Sequence, residues 1–373
     1  MKPRDSVLLY RETQSSDAST KTIDLDLVDP VTALYLEFEA VNGTTSNLNN
    51  FLSDVVTKIE IVDGSEVLYS LTLAELEALH FYKTGKTPVM FPSEWASGTN
   101  RHGCYLLFGR KLNDLLYAMD FTKFRNPQLK ITWNLAAIRA VSATTAFATG
   151  TFKLTVVAKV LEGMPSPGKY LMAKELLSFT SSATSGAEER KELPLDYVYR
   201  MLMTRHWVQL SDILEVTSDL KLTADADKYI PFNRKVRQLD AEAFAQFGAG
   251  RLKHDMRIAD NTQTRLLFNM EPDVRANWTT QNLFDIWGIA YQWSSEIKSW
   301  LGTHAGAADA TAREMTAVEE GHALHATLPL PFGDLLVPET WFDPTVFKKL
   351  ELVFTSGGTA GSCAVVAEQV RPN

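Results

Sequence analysis

Leu328-Pro329-Leu330-Pro331-Phe332-Gly333-Asp334-Leu335-Leu336, running on to Leu350-Glu351-Leu352-Val353-Phe354, decides the fold, because an earlier stretch echoes it. From Tyr105 to Trp133 an apolar strand ends in Leu107-Phe108-Gly109, followed by Leu112-Asn113-Asp114-Leu115-Leu116, then Asp120-Phe121-Thr122, then Leu129-Lys130-Ile131-Thr132-Trp133. Phe108-Gly109 recurs at Phe332-Gly333 after 224 positions, and Leu129-Lys130-Ile131 at Leu350-Glu351-Leu352 after 221. A nearly constant offset over such a length points to internal duplication, and a missed repeat miscalls a fold. Two related domains are expected.

The same order can be followed outward from these stretches. Ile23-Asp24-Leu25-Asp26-Leu27 and Leu34 to Glu39 alternate apolar and polar residues as half-buried strands do. Val56 to Val62 is a further strand, Asp63-Gly64 a hairpin signal, and Ser65 to Leu71 the returning strand. Thr72-Leu73-Ala74-Glu75 fits a capping box, with Leu73, Leu76 and Leu79 on one helical face and Gly85 as a stop. In the second half, Leu193 to Tyr199 leads in, and Ile213 to Val216 with Leu220 to Leu222 supply strand material. Tyr229 to Phe232 follows, and Asp240 is placed to N-cap a helix carrying Phe244 and Phe247 and stopped by Gly248. Each half closes on a strand, Phe152 to Val160 or Ser362 to Ala367.

These elements give the expected boundaries. Residues 1–20, rich in Ser, Thr, Asp and Gln, read as an N-terminal arm, 21–165 as the first domain, 166–190 as a linker with a short helix around Tyr170 to Leu177, and 191–373 as the second domain. The second copy differs by a large insertion, 249–327, which holds Trp278, Trp287, Trp293 and Trp300 and an Ala/Gly-rich loop from Gly302 to Thr311. Insertions of this kind project from a sandwich as contact surface.

Composition narrows the classes. The 373 residues are 45% hydrophobic and 22% charged, which is the balance of a folded chain able to bury cores without staples. Cys104 and Cys363, far apart and with no CxxC, make neither a zinc framework nor a disulfide scaffold. The apolar run Val7 to Tyr10 is too short for a signal-peptide core, so no cleaved leader and cytoplasmic synthesis are expected. No uncharged apolar run reaches membrane-spanning length. A net charge of −8 disfavours a surface that grips nucleic acid throughout.

Candidate chemistry is thin. Glu319-Glu320-Gly321-His322-Ala323-Leu324-His325 sets two histidines three apart, yet it is not HExxH, and Gly321 with the strand just beyond favours a loop over a metal site. Asp225-Ala226-Asp227 lacks the glycine and distal glutamate of a calcium loop and reads as a solvated turn. His206 beside Trp207 reads as a packed histidine, Cys104 as a buried inert thiol, and Glu188-Glu189 and Glu75 with Glu77 as carboxylates on polar faces. No nucleophile elbow, GxxxxGK[ST] or GxGxxG occurs. The tryptophans of 278–300 would suit sugar stacking, but aromatic density of this kind more often forms a core or a subunit interface. No catalytic, cofactor or metal residues are assigned.

Two consecutive all-β domains, the second reading Leu328-Pro329-Leu330-Pro331-Phe332, a short apolar segment and then Leu350 to Phe354, resemble the double jelly-roll major capsid proteins of tailless icosahedral DNA viruses, the lineage of adenovirus hexon and of membrane-containing phages. The chain departs from many of them at Gly333-Asp334, where they keep aromatic residues. The resemblance implies an all-β fold of two eight-stranded jelly-roll sandwiches and a pseudo-hexagonal homotrimer tiling an icosahedral virion capsid, with insertions as outer towers. It implies as partners the chain itself and neighbouring capsomers, penton and minor capsid proteins and an internal membrane, and neither a cofactor nor sequence-specific nucleic acid. A rival class is a tandem jelly-roll lectin or glycan-processing enzyme using the Trp-rich insertion. That chemistry needs two carboxylates at a fixed separation. A phage spike or minor shell protein is a third reading.

Overall fold

The computed structural model describes residues 2–44, 47, 50–93, 96–141, 146–208, 213–258, 275–280, 287–293, 296–302, 313–321 and 323–373, with side chains described except at 141 and 251–320. The first half runs β1 (Lys2–Thr13), β2 (Ala18–Asp24), β3 (Val31–Val41), α1 (Leu52–Val55), β4 (Val56–Asp63), β5 (Glu66–Leu71), α2 (Leu73–Thr84), β6 (Val89–Phe91), β7 (Thr99–Leu107), β8 (Pro127–Asn134), α3 (Leu135–Val141) and β9 (Lys153–Glu162). The second runs β10 (Lys169–Thr180), β11 (Glu188–Leu193), β12 (Tyr199–Trp207), α4 (Ile213–Val216), β13 (Thr217–Ala224), β14 (Tyr229–Lys235) and α5 (Val236–Phe247). Five insertion strands follow, β15 (Gly250–Ile258), β16 (Arg275–Thr280), β17 (Trp287–Trp293), β18 (Glu296–Gly302) and β19 (Arg313–Gly321), before β20 (Thr327–Pro331), β21 (Leu350–Ser356) and β22 (Ser362–Pro372).

Sheet order shows the duplication. The first half pairs β1-β9-β3-β7, with β6 added at the edge, and β2-β8-β4-β5; the second pairs β10-β22-β12-β20 and β11-β21-β13-β14. Strand for strand these are the same two sheets, and eight strands in two such sheets make a jelly roll. The sandwiches join where β5 lies parallel to β10, Ser70 opposite Lys174, so that one sheet of each forms a continuous eight-stranded sheet.

Alternation explains the cores. Along β8 every second residue is buried, which sends Leu129, Ile131 and Trp133 inward with Leu34, Leu36 and Phe38 of β3 and Leu154, Val156 and Ala158 of β9. The second core repeats this with Leu350, Leu352 and Phe354, Leu220 and Leu222, and Val365 and Ala367. The echoed segments also match in detail. Asp120 Oδ1 accepts from Thr122 N at 3.1 Å and Oγ1 at 2.6 Å, and Asp343 Oδ1 accepts from Thr345 N at 3.0 Å and Oγ1 at 2.6 Å. Each caps a single 3-10 turn before β8 or β21.

Several expectations need correction. The supposed arm is β1, paired antiparallel with β9 from Lys2 to Thr13, and the start of β2; ladder hydrogen bonds outweigh its polar composition. Within the expected linker, Tyr170 to Leu177 is strand, because β22 pairs along the length of β10 while β5 touches its other edge. Ile213 to Val216 is one helical turn rather than strand. Helix α5 starts a turn before Asp240, from Lys235, with no side-chain cap, although it stops at Gly248 as expected. The capping box holds: Thr72 Oγ1 accepts from Glu75 N and Glu75 Oε2 from Thr72 N, and Gly85 ends α2 at φ +66°.

Candidate functional site

The chemistry-bearing residues converge where α2 of the first sandwich meets the second. The periodicity of α2 implies one apolar face, yet Leu73 through Tyr82 are all buried, because the second sandwich covers the side that the first leaves open. Tyr82 shows the contact directly: its hydroxyl lies 3.0 Å from Thr327 Oγ1 on β20 and its ring packs on Phe247 of α5.

Glu77 sits at the centre of this seam, fully buried. Its Oε1 is 2.7 Å from His102 Nδ1 on β7 and its Oε2 2.6 Å from His325 Nε2 in the turn before β20. Burial alone would push the carboxyl up, but the two imidazoles outweigh it and hold it down at about 2. The ionised carboxylate can only accept, so both ring nitrogens donate. The turn that delivers His325 is strained, with Ala323, His325 and Ala326 all at φ between +57° and +60°. Such a conformation costs roughly 1–2 kcal/mol per non-glycine residue, which the buried bonds must offset.

A second ionic group lies nearby. Glu368 on β22 takes Lys83 of α2 on one oxygen and Arg200 of β12 on the other, all three about 1% exposed. Burial lowers the Lys83 ammonium to about 8 against the pull of Glu368, while Arg200 and Lys83 together hold the Glu368 carboxyl below its usual range despite burial. Glu75, about two turns before Lys83 on the buried helix, behaves oppositely: burial and then the Glu175 carboxylate push it up to about 7. The expectation that Glu75 and Glu77 lie on a polar face is therefore wrong. Their helix carries a second interface that no single-domain pattern reveals, and their environments drive the two carboxyls in opposite directions.

The other sequence candidates separate. His325 is drawn to Glu77, His322 lies outside the described residues, and Glu319 and Glu320 lie on β19 with undescribed side chains. Among the described residues no group of His, Cys, Asp and Glu is arranged to hold a metal ion. Asp225, Ala226 and Asp227 form a left-handed turn in which Asp225 Oδ1 accepts from the Lys348 and Lys349 amides and Asp227 meets Thr223 and Lys221, so both carboxylates are already used. His206 is wholly buried between Thr204 and Thr217, and burial takes it down to about 3. Cys104 and Cys363 are buried free thiols, both pushed up by burial. Glu188 and Glu189 alternate on β11, meeting Arg190 and Lys191. The backbones at Trp278, Trp287, Trp293 and Trp300 are in strands, but their side chains lie outside those described.

The geometry is thus that of a welded joint between two sandwiches. No protein-family model matches the chain, and no curated protein matches it in sequence. Solved structures match it in fold. The atomic structure of Sulfolobus Turreted Icosahedral Virus contains a chain that is 10% identical, with a TM-score of 0.62 over 99% of this chain and 91% of that one. The major capsid protein of bacteriophage PM2 is 10% identical, with a TM-score of 0.55 over 100% and 98%. A chain of the PBCV-1 virus capsid is 9% identical, with a TM-score of 0.54 over 99% and 93%. With the sheet order of both halves, these likenesses identify the fold: this chain is an all-β double jelly roll of the kind found in those virus capsids.

Proposed function

We propose that this chain is a viral major capsid protein that assembles as pseudo-hexameric homotrimers into an icosahedral shell and has a structural rather than a catalytic role. The observation that carries the reading is agreement over almost the whole of both chains, two sandwiches in the same order, with capsid structures no more than 10% identical in sequence. Physical logic supports it. A chain with two like sandwiches puts six similar units around a threefold axis, so a trimer can tile a near-hexagonal lattice. Such tiling needs a fixed angle between the sandwiches, and the Glu77 and Glu368 clusters tie one to the other.

On this reading the chain divides between Glu162 and Lys169, where β9 ends and β10 begins, and the five-stranded insertion forms the outer tower. Partners are then further copies, penton and minor capsid proteins, and a membrane within the shell. Sedimentation and negative-stain imaging of purified protein test it. Particles of three 41.6 kDa chains with a hexagonal outline are expected. A species that stays monomeric at every concentration, and never forms shells, overturns it.

A further inference from the structure

Two of the four sheet edges of each sandwich bear on the join, a β1-type edge on one sheet and a β5-type edge on the other. Inside the chain one such pair is already joined, β5 alongside β10, the counterpart of β1. The join leaves one edge of each kind open among the described residues: β1 ends the five-stranded sheet, and β14, the counterpart of β5, ends the four-stranded sheet. Both open edges display apolar side chains that a solvated edge does not need, Val7 at 59% and Tyr10 at 73% exposure on β1, Tyr229 at 48% and Ile230 at 41% on β14. The helices agree. Beside the joined edge α2 buries ten residues in a row, whereas beside the open edge α5 buries only Val236, Leu239 and Ala243.

Resting on the capsid reading, we infer that β14 of one copy docks in parallel alongside β1 of the next, repeating between chains the β5–β10 junction found within each chain. The contact is head to tail, and the same step taken six times, three within chains and three between them, closes a ring. Correspondence of the sheets sets the register. Ala158 and Ala367 hold equivalent places in the closing strands and pair with Ser6 and Lys174, so Ser6 stands where Lys174 does. Lys130 and Glu351 are likewise equivalent; the first leads through Glu60 to Ser70, the second through Thr223 to the register shift that spans Ile230 and Pro231, so these two residues stand where Ser70 does. Pro231 is tolerated there because the internal junction rests on a single bridge and proline is accepted at sheet edges.

Paired cysteines test the contact, since Cys104 and Cys363 are buried and will not compete. Oxidising the purified Ser6→Cys/Ile230→Cys chain is expected to shift it on a non-reducing gel from the monomer position to covalent dimers and trimers that thiol reverses. The Ser70→Cys/Lys174→Cys control should close within one chain and stay at the monomer position. The unmodified protein gives an independent readout: an amine cross-linker on mixed isotope-labelled and unlabelled copies should join Lys2 to Lys228 between chains. Trimers by mass that yield neither link, nor one from Val7→Cys/Ile230→Cys or Ser6→Cys/Tyr229→Cys, overturn the junction and leave the capsid reading standing. A chain that remains monomeric overturns both.

Discussion

Glu77 and His325 meet at 2.6 Å, although they are 248 positions apart in the chain. With His102 on the other oxygen, the carboxylate binds α2, β7 and the turn before β20 into one buried unit. Removing one partner of a buried ionic group leaves uncompensated charge, a loss of about 3–5 kcal/mol. Glu77→Ala is expected to lower the unfolding free energy by that order, and His325→Ala by a similar amount. Glu77→Gln, which keeps shape and one hydrogen bond, should fall between Glu77→Ala and the parent. Urea titrations of the three variants check this, and an unchanged Glu77→Ala midpoint would remove the tie between the sandwiches.

Glu75 should make the protein less stable as pH rises. Its value in the fold, about 7, lies above the ordinary 4.5, so its contribution is complete below pH about 4.5 and is lost by pH about 7. Glu75→Gln keeps the capping box, because a glutamine oxygen can accept from the Thr72 amide. The variant is expected to exceed the parent by on the order of 1–3 kcal/mol at pH 8 and to converge with it near pH 4. Thermal melts across that range decide it; a Glu75→Gln chain no more stable than the parent at pH 8 refutes the buried-proton account.

Acid should act through other groups. Burial holds His206 at about 3 and His80 at about 4 against an ordinary 6.5, and His102 and His325 hold Glu77 at about 2 despite its burial. In each case the folded value is lowered, so the stability is present above the ordinary value and is lost as pH falls through the folded one. The histidine contribution therefore declines from pH 6.5 towards 3, and the Glu77 contribution from about 4.5 towards 2. His206→Gln is expected to lower the melting temperature at pH 7 and to flatten its decline between pH 6.5 and 4. A decline as steep as the parent's would exclude His206 as a source.

Much of this architecture could be read from the residues, and the failures have physical causes. The duplicated order, the Thr72 capping box and the Gly85 and Gly248 stops follow from local rules, as do the echoed segments at Asp120 and Asp343. Lys169 to Thr180 spaces its apolar residues in a helix-compatible way, but strands on both sides override that preference. The pattern around Glu75 and Glu77 implies solvation because a helix is ordinarily buried on one face, and only the second sandwich explains burial of the other. Glu368, on a closing strand that reads as apolar core, gives no signal in the chain that Lys83 and Arg200 converge on it.

The echoed aspartates offer a test of the repeat itself. Asp120 and Asp343 cap equivalent turns with nearly the same distances, so Asp120→Ala and Asp343→Ala should each cost about 1 kcal/mol, as an N-cap does. The two losses are expected to add, since the caps belong to different sandwiches with separate cores. Denaturant midpoints of the single and double variants measure this; a large effect at one site alone would show that the turns are not equivalent.

Glu368 should matter more than either of its partners. It is the sole carboxylate bonded to Lys83 and Arg200 among the described side chains, so Glu368→Gln strands two buried cations and is expected to cost about 3–5 kcal/mol. Lys83→Met instead leaves the Arg200–Glu368 pair intact and fills the space of the lysine stem, and its cost should be limited to lost hydrogen bonds, roughly 1–2 kcal/mol. Because burial already brings Lys83 down to about 8 from an ordinary 10.5, the parent gains stability as pH rises from 8 towards 10.5 and the buried ammonium gives up its proton, so the cost of Lys83→Met should grow over that range. Equal losses for the two variants at pH 7 would mean that Lys83, rather than the shared carboxylate, holds the joint together.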